Sequence, residues 1–150
     1  MVLLTATSLA WNPVPRQPKK YLMTRLILPA LFALLATPAL AFDISFDWSG
    51  LKSCTSGRPN VVANPAFQLK DVPAGTKYLR FKLSDRDAPS YNHGGGVVAY
   101  TGQKVIQPGA FNYKSPCPPS GRHTYEWTAT AQSKKNGGKL ATARAARKYP

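Results

Sequence analysis

Acidic side chains are scarce in this chain, with six Asp and Glu against twenty Lys and Arg. That scarcity excludes a calcium loop, which gathers about six to eight oxygen ligands. Cysteine and histidine occur twice each, without the short Cys-x-x-Cys or His-x-x-x-His spacing of a zinc site. No Gly-x-Ser-x-Gly is present, so the nucleophile elbow of an esterase is missing. No apolar run reaches the roughly 20 residues of a membrane-crossing helix. A long amphipathic helix, an internal repeat and a low-complexity linker are absent too. What is present is a strongly basic chain, formal net charge +14, in which turn residues separate short alternating segments.

Export decides which residues matter. Met23-Thr24-Arg25 supplies a short positive region, Leu26 to Leu35 an apolar core, and Ala39-Leu40-Ala41 the small-x-small pattern of a cleavage site. The sequence therefore predicts a signal peptide over 23–41, cleaved near Ala41, and a periplasmic or secreted product. Residues 1–22, with Pro13, Pro15 and Pro18 and no periodicity, either lengthen the positive region or precede the true start at Met23. The start at Met23 is the favoured one, and residues 1–22 are not expected to belong to the fold. Residues 42–150 suffice for one domain with a modest core. They retain sixteen of the twenty cationic residues and all six acids, a charge that draws anions: phosphate groups, an anionic membrane surface, or polyanions in general. In an oxidising compartment Cys54 and Cys117 are expected to pair as a disulfide.

Phe42 to Trp48, Lys77 to Leu83 and Thr124 to Thr130 alternate apolar and polar residues, the pattern of half-buried strands. Ala66 to Leu69, Gly96 to Tyr100 and Lys104 to Ile106 read as shorter strands. Ser133 to Lys139 reads as a hairpin turn, and Leu140 to Tyr149 is compatible with helix or strand. The class is all-β, a sandwich with little helix.

Three clusters could carry chemistry. Ser84-Asp85-Arg86-Asp87-Ala88-Pro89 follows a strand; its two acids suit a turn that caps its own amides, an acid/base pair or a metal, and composition favours the turn. His93-Gly94-Gly95-Gly96 places one imidazole beside permissive backbone. Ser115-Pro116-Cys117-Pro118-Pro119-Ser120-Gly121-Arg122-His123-Thr124-Tyr125 runs a rigid loop into a strand where His123 and Tyr125, two apart, share a face. Both can donate hydrogen bonds to an oxyanion.

In this order the three clusters resemble the phosphatidylethanolamine-binding protein family, also called Raf kinase inhibitor-like proteins. The family's Asp-Pro-Asp-Ala-Pro is similar to Asp85 to Pro89, with Arg86 in place of the first Pro. His93 stands where the family has a His, with Gly94 to Gly96 replacing bulkier residues. Pro118-Pro119-Ser120-Gly121-Arg122-His123-Thr124-Tyr125 resembles the family's Pro-Pro loop and Gly-x-His-Arg-Tyr, with Thr124 in place of Arg. The likeness spans about Asp71 to Trp127. It implies a shortened β-sandwich of that family, with a small pocket for phosphate or a phospholipid head group. By position, Asp85 would accept from a ligand ammonium or orient His93, Asp87 would belong to the same ligand-binding set, and His93, His123 and Tyr125 would donate to anionic oxygens. Pro89, Pro118 and Pro119 would shape the walls, and Gly121 would let the backbone approach. A protein partner is the family's other implied role. No catalytic residue, metal, cofactor or specific nucleic acid is expected, since no nucleophile or phosphate-activating loop accompanies the histidines. Lys134, Lys135, Lys139, Arg144, Arg147 and Lys148 could hold a polyanion nonspecifically, or serve only as a solvated sheet edge.

Overall fold

Glycine- and proline-rich turns cut the chain into short extended runs, and in the computed structural model these become strands. The structure describes residues 11–16 and 41–150. Residues 11–16 are irregular and belong to a unit of their own, 1–36; the fold below is that of 41–150. The expected apolar core of the signal peptide, 26–35, lies outside the described residues.

The strands are β1 (Asp43–Ser45), β2 (Val61–Ala63), β3 (Phe67–Lys70), β4 (Tyr78–Asp85), β5 (Gly95–Ala99), β6 (Val105–Ile106), β7 (Asn112–Lys114), β8 (His123–Lys134) and β9 (Gly137–Tyr149). No helix occurs among the described residues. All pairings are antiparallel, in sheets ordered β1-β3-β6, β2-β7 and β5-β4-β8-β9.

Alternation in β4 and β8 sets the architecture. Leu79, Phe81 and Leu83 point inward with Tyr125, Trp127, Ala129 and Ala131, while Arg80 and Lys82 face solvent. The three-stranded sheet packs on this inner face through Phe67, whose ring stacks on Phe81 at 4.4 Å and meets Trp127 edge-on at 5.1 Å. Tyr113 of β7 closes on Trp127 from another side at 4.9 Å. Burying an aromatic ring of this kind contributes about 2–3 kcal/mol. For Trp127 part of that is offset, because its buried Nε1–H has no acceptor among the described residues.

The 140–149 segment proves to be strand. β9 pairs with β8 along its length, from Lys134↔Gly137 at a two-residue turn to His123↔Tyr149. One extra residue, Leu140, bulges where the register shifts between Ala131 and Gln132. The small residues that made helix plausible are what let β9 lie close: Ala143 is buried in the core. Gly95 and Gly96 have a packing reason as well. A Cβ on Gly95 would sit 2.0 Å from the Phe81 carbonyl oxygen, and one on Gly96 would meet the Phe111 ring at 2.3 Å. The Phe111 ring thus fills the space that bulkier side chains would need there.

Cys54 and Cys117 are joined in a disulfide that spans 63 residues of sequence. It ties the long β1–β2 connection to the loop before β8.

Candidate functional site

The full β4–β8 register ends with Asp85 directly opposite Tyr125, and this end of the sheet gathers the chemistry. Asp85 is buried, and its Oδ1 accepts from the backbone N–H groups of Asp87 (2.9 Å) and Ala88 (3.2 Å). The turn expected at 85–89 is therefore present and capped by its own carboxylate. Oδ2 accepts from His123 Nδ1 at 2.7 Å. Burial alone would raise the Asp85 carboxyl, but the hydrogen bonds from His123, the Asp87 amide and Tyr125, with the His123 charge, outweigh it. The group sits below the ordinary carboxylate value.

The histidines occupy different environments. Because a carbonyl can only accept, the 2.9 Å contact of His93 Nδ1 with the Lys114 oxygen requires the proton on Nδ1. The neutral ring then presents Nε2 as an acceptor. His93 is 2 % exposed, wedged between Tyr91 (centroids 4.6 Å) and Tyr125 (5.4 Å). Burial pushes its pKa below the usual histidine value, only partly countered by the Lys114 carbonyl and the Asp85 charge. Donation from His93 to an anion would thus need a protonation that its surroundings oppose. Asp85 orients His123 rather than His93. Unlike His93, the His123 side chain is partly exposed at 18 %, and its Nε2 is unpaired among the described residues.

Asp87 is exposed and accepts from the Thr124 amide at 2.6 Å, while the Arg86 amide donates to the Thr124 carbonyl at 2.9 Å. Together they clamp the 85–88 turn to the start of β8. Pro118 is buried, Pro89 and Pro119 are exposed, and Gly121 takes a left-handed turn at φ 64°. Tyr125 is buried, and burial together with the Asp85 charge raises its phenol, so the hydroxyl stays protonated and can donate.

Asp85, Asp87 and His123 each offer a ligand atom within 4.8 Å of the others. The Asp85 oxygens and Asp87 Oδ2 already accept hydrogen bonds from His123, the turn amides and Thr124, as a clamped turn requires. Two clefts of the domain are lined by other residues. At this cluster His123 is partly exposed and the 119–122 loop lies at the surface, while Asp85, His93 and Tyr125 are buried.

Trp48, which carried no signal in the sequence, packs edge-on against Tyr125 (6.2 Å) and Tyr149 (5.8 Å), and its Nε1–H donates to the Lys148 carbonyl at 3.1 Å. Glu126 pairs with Arg86 and lies 3.8 Å from Arg144. These contacts join residues far apart in sequence.

The His93 environment fixes a pH dependence. A folded pKa below the unfolded value of about 6.5 means that the unfolded chain takes up a proton first. Stability is full above that value and falls as pH drops through it towards the folded value. Urea midpoints measured from pH 7.5 to 5 should decline for the parent chain and decline less for His93→Gln. Equal slopes would remove His93 as the cause.

No family model matches the sequence, and no curated protein does. Among solved structures the chain is similar to a Chlamydia trachomatis protein described as a homologue of phosphatidylethanolamine-binding proteins, with TM-score 0.53 and 19% identity, covering 73% of this chain and 97% of that one. It is also similar to Escherichia coli YbcL, described as a member of the mammalian family of such proteins, with TM-score 0.54 and 18% identity, covering 72% and 97%. At this identity the likeness shows the fold: an all-β domain of the phosphatidylethanolamine-binding-protein type.

Proposed function

We propose that the domain is an exported, non-enzymatic binder of small oxyanions, either free phosphate or the phosphate of a phospholipid head group, at His123 and the 118–122 loop. One observation carries the reading: the 2.7 Å contact that holds His123 Nδ1 on the buried Asp85. It fixes the ring so that Nε2 is the nitrogen left for a ligand. With its second proton in place, Nε2–H donates to an anionic oxygen while Asp85 balances the ring's charge. Tyr125, directly opposite Asp85 in the β4–β8 register, is part of the same support. The domain's excess of cations draws such ligands in. The fold shared with proteins described as phosphatidylethanolamine-binding homologues supports a binding role in general.

Binding rather than catalysis fits the residues at hand. Cys117, the strongest nucleophile of the loop, is held in the disulfide, and no serine hydroxyl or lysine amine hydrogen-bonds either imidazole among the described residues. Residues 23–41 would direct export and be removed near Ala41.

The test is a thermal-shift titration with phosphate and with O-phosphoethanolamine, for the parent and for His123→Ala. A saturable rise in melting temperature is expected in the parent and should vanish in the variant. Equal rises, or none, would reject the site. Preference for O-phosphoethanolamine would point to the head group, and equal response to free phosphate.

A second reading rests on the exposed cations of the β8–β9 hairpin, Lys134, Lys135, Lys139, Arg144, Arg147 and Lys148. A polyanion held there would ignore His123→Ala and weaken steeply with salt.

A further inference from the structure

The β1–β2 connection leaves the three-stranded sheet at Ser45 and returns as β2 at Val61. Beneath it, against β2 and β7, lies a cleft of about 650 Å³. That volume falls within the roughly 300–1,000 Å³ of small-molecule sites. None of Asp85, His93, His123 or Tyr125 lines it, so it is separate from the oxyanion cluster.

The lining selects a kind of ligand. Trp48, Leu51, Val62 and Pro65 supply apolar walls, and Tyr113 is part of the interior surface. Charge is confined to Asp47 and Lys52, one of each sign and both exposed. An ionic ligand would therefore find no buried counterion in this cleft.

Most polar groups of the lining are already satisfied. The Asn64 amide donates to the carbonyls of Pro65 (2.7 Å) and Gln107 (3.0 Å), and its oxygen accepts from the Phe111 amide at 2.9 Å. The Asn60 backbone exchanges hydrogen bonds with Ser115 through its carbonyl (2.8 Å) and its N–H (3.1 Å). Tyr113 differs. It is 4 % exposed, yet its hydroxyl makes no hydrogen bond among the described residues. The hydroxyl is not among the buried atoms cut off from solvent, so it is open to the cleft and free to pair with a ligand there. Burial also raises its phenol, so it stays a neutral donor and acceptor.

We infer that this cleft is a second binding site, for a neutral small amphiphile with a flat or branched apolar body and a single hydrogen-bonding atom directed at the Tyr113 hydroxyl. The apolar body lies against Trp48, Leu51 and Val62. The connection that roofs the site is fastened by the disulfide at Cys54 and by Tyr149, whose hydroxyl donates to the Lys52 carbonyl at 2.7 Å.

The probe that fits this description is N-phenyl-1-naphthylamine, neutral and flat-bodied, with a naphthyl and a phenyl group joined by one N–H. It is titrated into the full chain by its own fluorescence, alongside Ala63→Trp, Tyr113→Phe and His123→Ala. Ala63 is exposed on β2 and lines the cleft, so a tryptophan there fills the space without entering the core. The apolar segment 26–35 is common to all the proteins, so differences between them read the cleft.

Saturable binding is expected, weakened at least tenfold by Ala63→Trp and about fivefold by Tyr113→Phe, as for the loss of one hydrogen bond. His123→Ala and added phosphate should leave it unchanged. If Ala63→Trp binds as the parent does, or binding does not saturate, the site is rejected. If phosphate displaces the probe, the probe is at the oxyanion cluster and this site is likewise rejected. Because His123→Ala abolishes only the phosphate response, failure of either site is read independently of the other.

Discussion

Replacing both Cys54 and Cys117 by alanine is expected to lower the stability of the domain by about 4 kcal/mol, the loop-closure contribution of a link across some 60 residues. For a domain whose total lies near 5–15 kcal/mol, that is a large share. The structure explains why little else compensates. Between Lys52, held by Tyr149, and Asn60, held by Ser115, the chain touches the body of the domain mainly at the disulfide. A weak contact of Ser56 Oγ with the Cys117 sulfur, at 3.4 Å, adds to it. Guanidinium unfolding of the parent and the double variant reads the difference. A loss below about 1 kcal/mol would show that the native connection is held by its other contacts and that the link constrains the unfolded chain little. The same variant should weaken the β1–β2 cleft, since its roof loses an anchor, and leave the 85–88 turn intact.

Substitution of Asp85 is expected to be nearly as damaging. In Asp85→Ala two backbone N–H groups of the turn lose their acceptor and the His123 imidazole loses its carboxylate. Such groups cost about 1–3 kcal/mol each when left unpaired, and water can reach the turn's exposed side, so a loss of about 3 kcal/mol is anticipated. Asp85→Asn keeps an oxygen for the amides but not the charge, and should lie between. The sign of the pH dependence follows from the lowered carboxyl. Its stabilisation is present above the unfolded value near 3.9 and is lost as pH falls through the lower folded value. The gap between the parent and Asp85→Asn, measured by urea unfolding, should therefore be full at pH 6 and close as pH falls below 4. A gap that does not narrow as pH falls below 4, or is absent at pH 6, would show that the carboxylate charge is not what holds this turn.

Much of this was readable from residue order alone, and the reasons differ from element to element. β4 and β8 alternate strictly, and a period of two over eight or more residues leaves one choice of face. Asp85 to Pro89 announced a turn through its own side-chain chemistry, and His123 with Tyr125 followed from spacing on one strand. β9 was ambiguous because alanine suits a helix and a tightly packed strand equally; its pairing with β8 decides the matter. β2 and β7 are too short to show a period, and each exists only because the other is beside it. The partner of His93 could not be read, since the Lys114 carbonyl is backbone and leaves no mark in a side-chain pattern. His93 and His123 looked equivalent in sequence, and burial separates them. The three glycines after His93 read as room for a ligand, whereas two of them make room for Phe81 and Phe111. The β1–β2 cleft had no sequence signature, because its walls come from segments that are separate in the chain.

The β8–β9 hairpin bears on how quickly the domain can form. Its partners are neighbours in the chain, joined through a two-residue turn, so their encounter is local and fast, on the scale of microseconds. β4 must then find β8 across the intervening β5, β6 and β7, a search that carries the loop-closure cost typical of slow all-β topologies. The hairpin is thus the natural template on which β4 docks. Once formed, the Cys54–Cys117 bond shortens the effective separation between the β1–β2 connection and the start of β8. Refolding with the bond intact should consequently outpace refolding from the reduced chain.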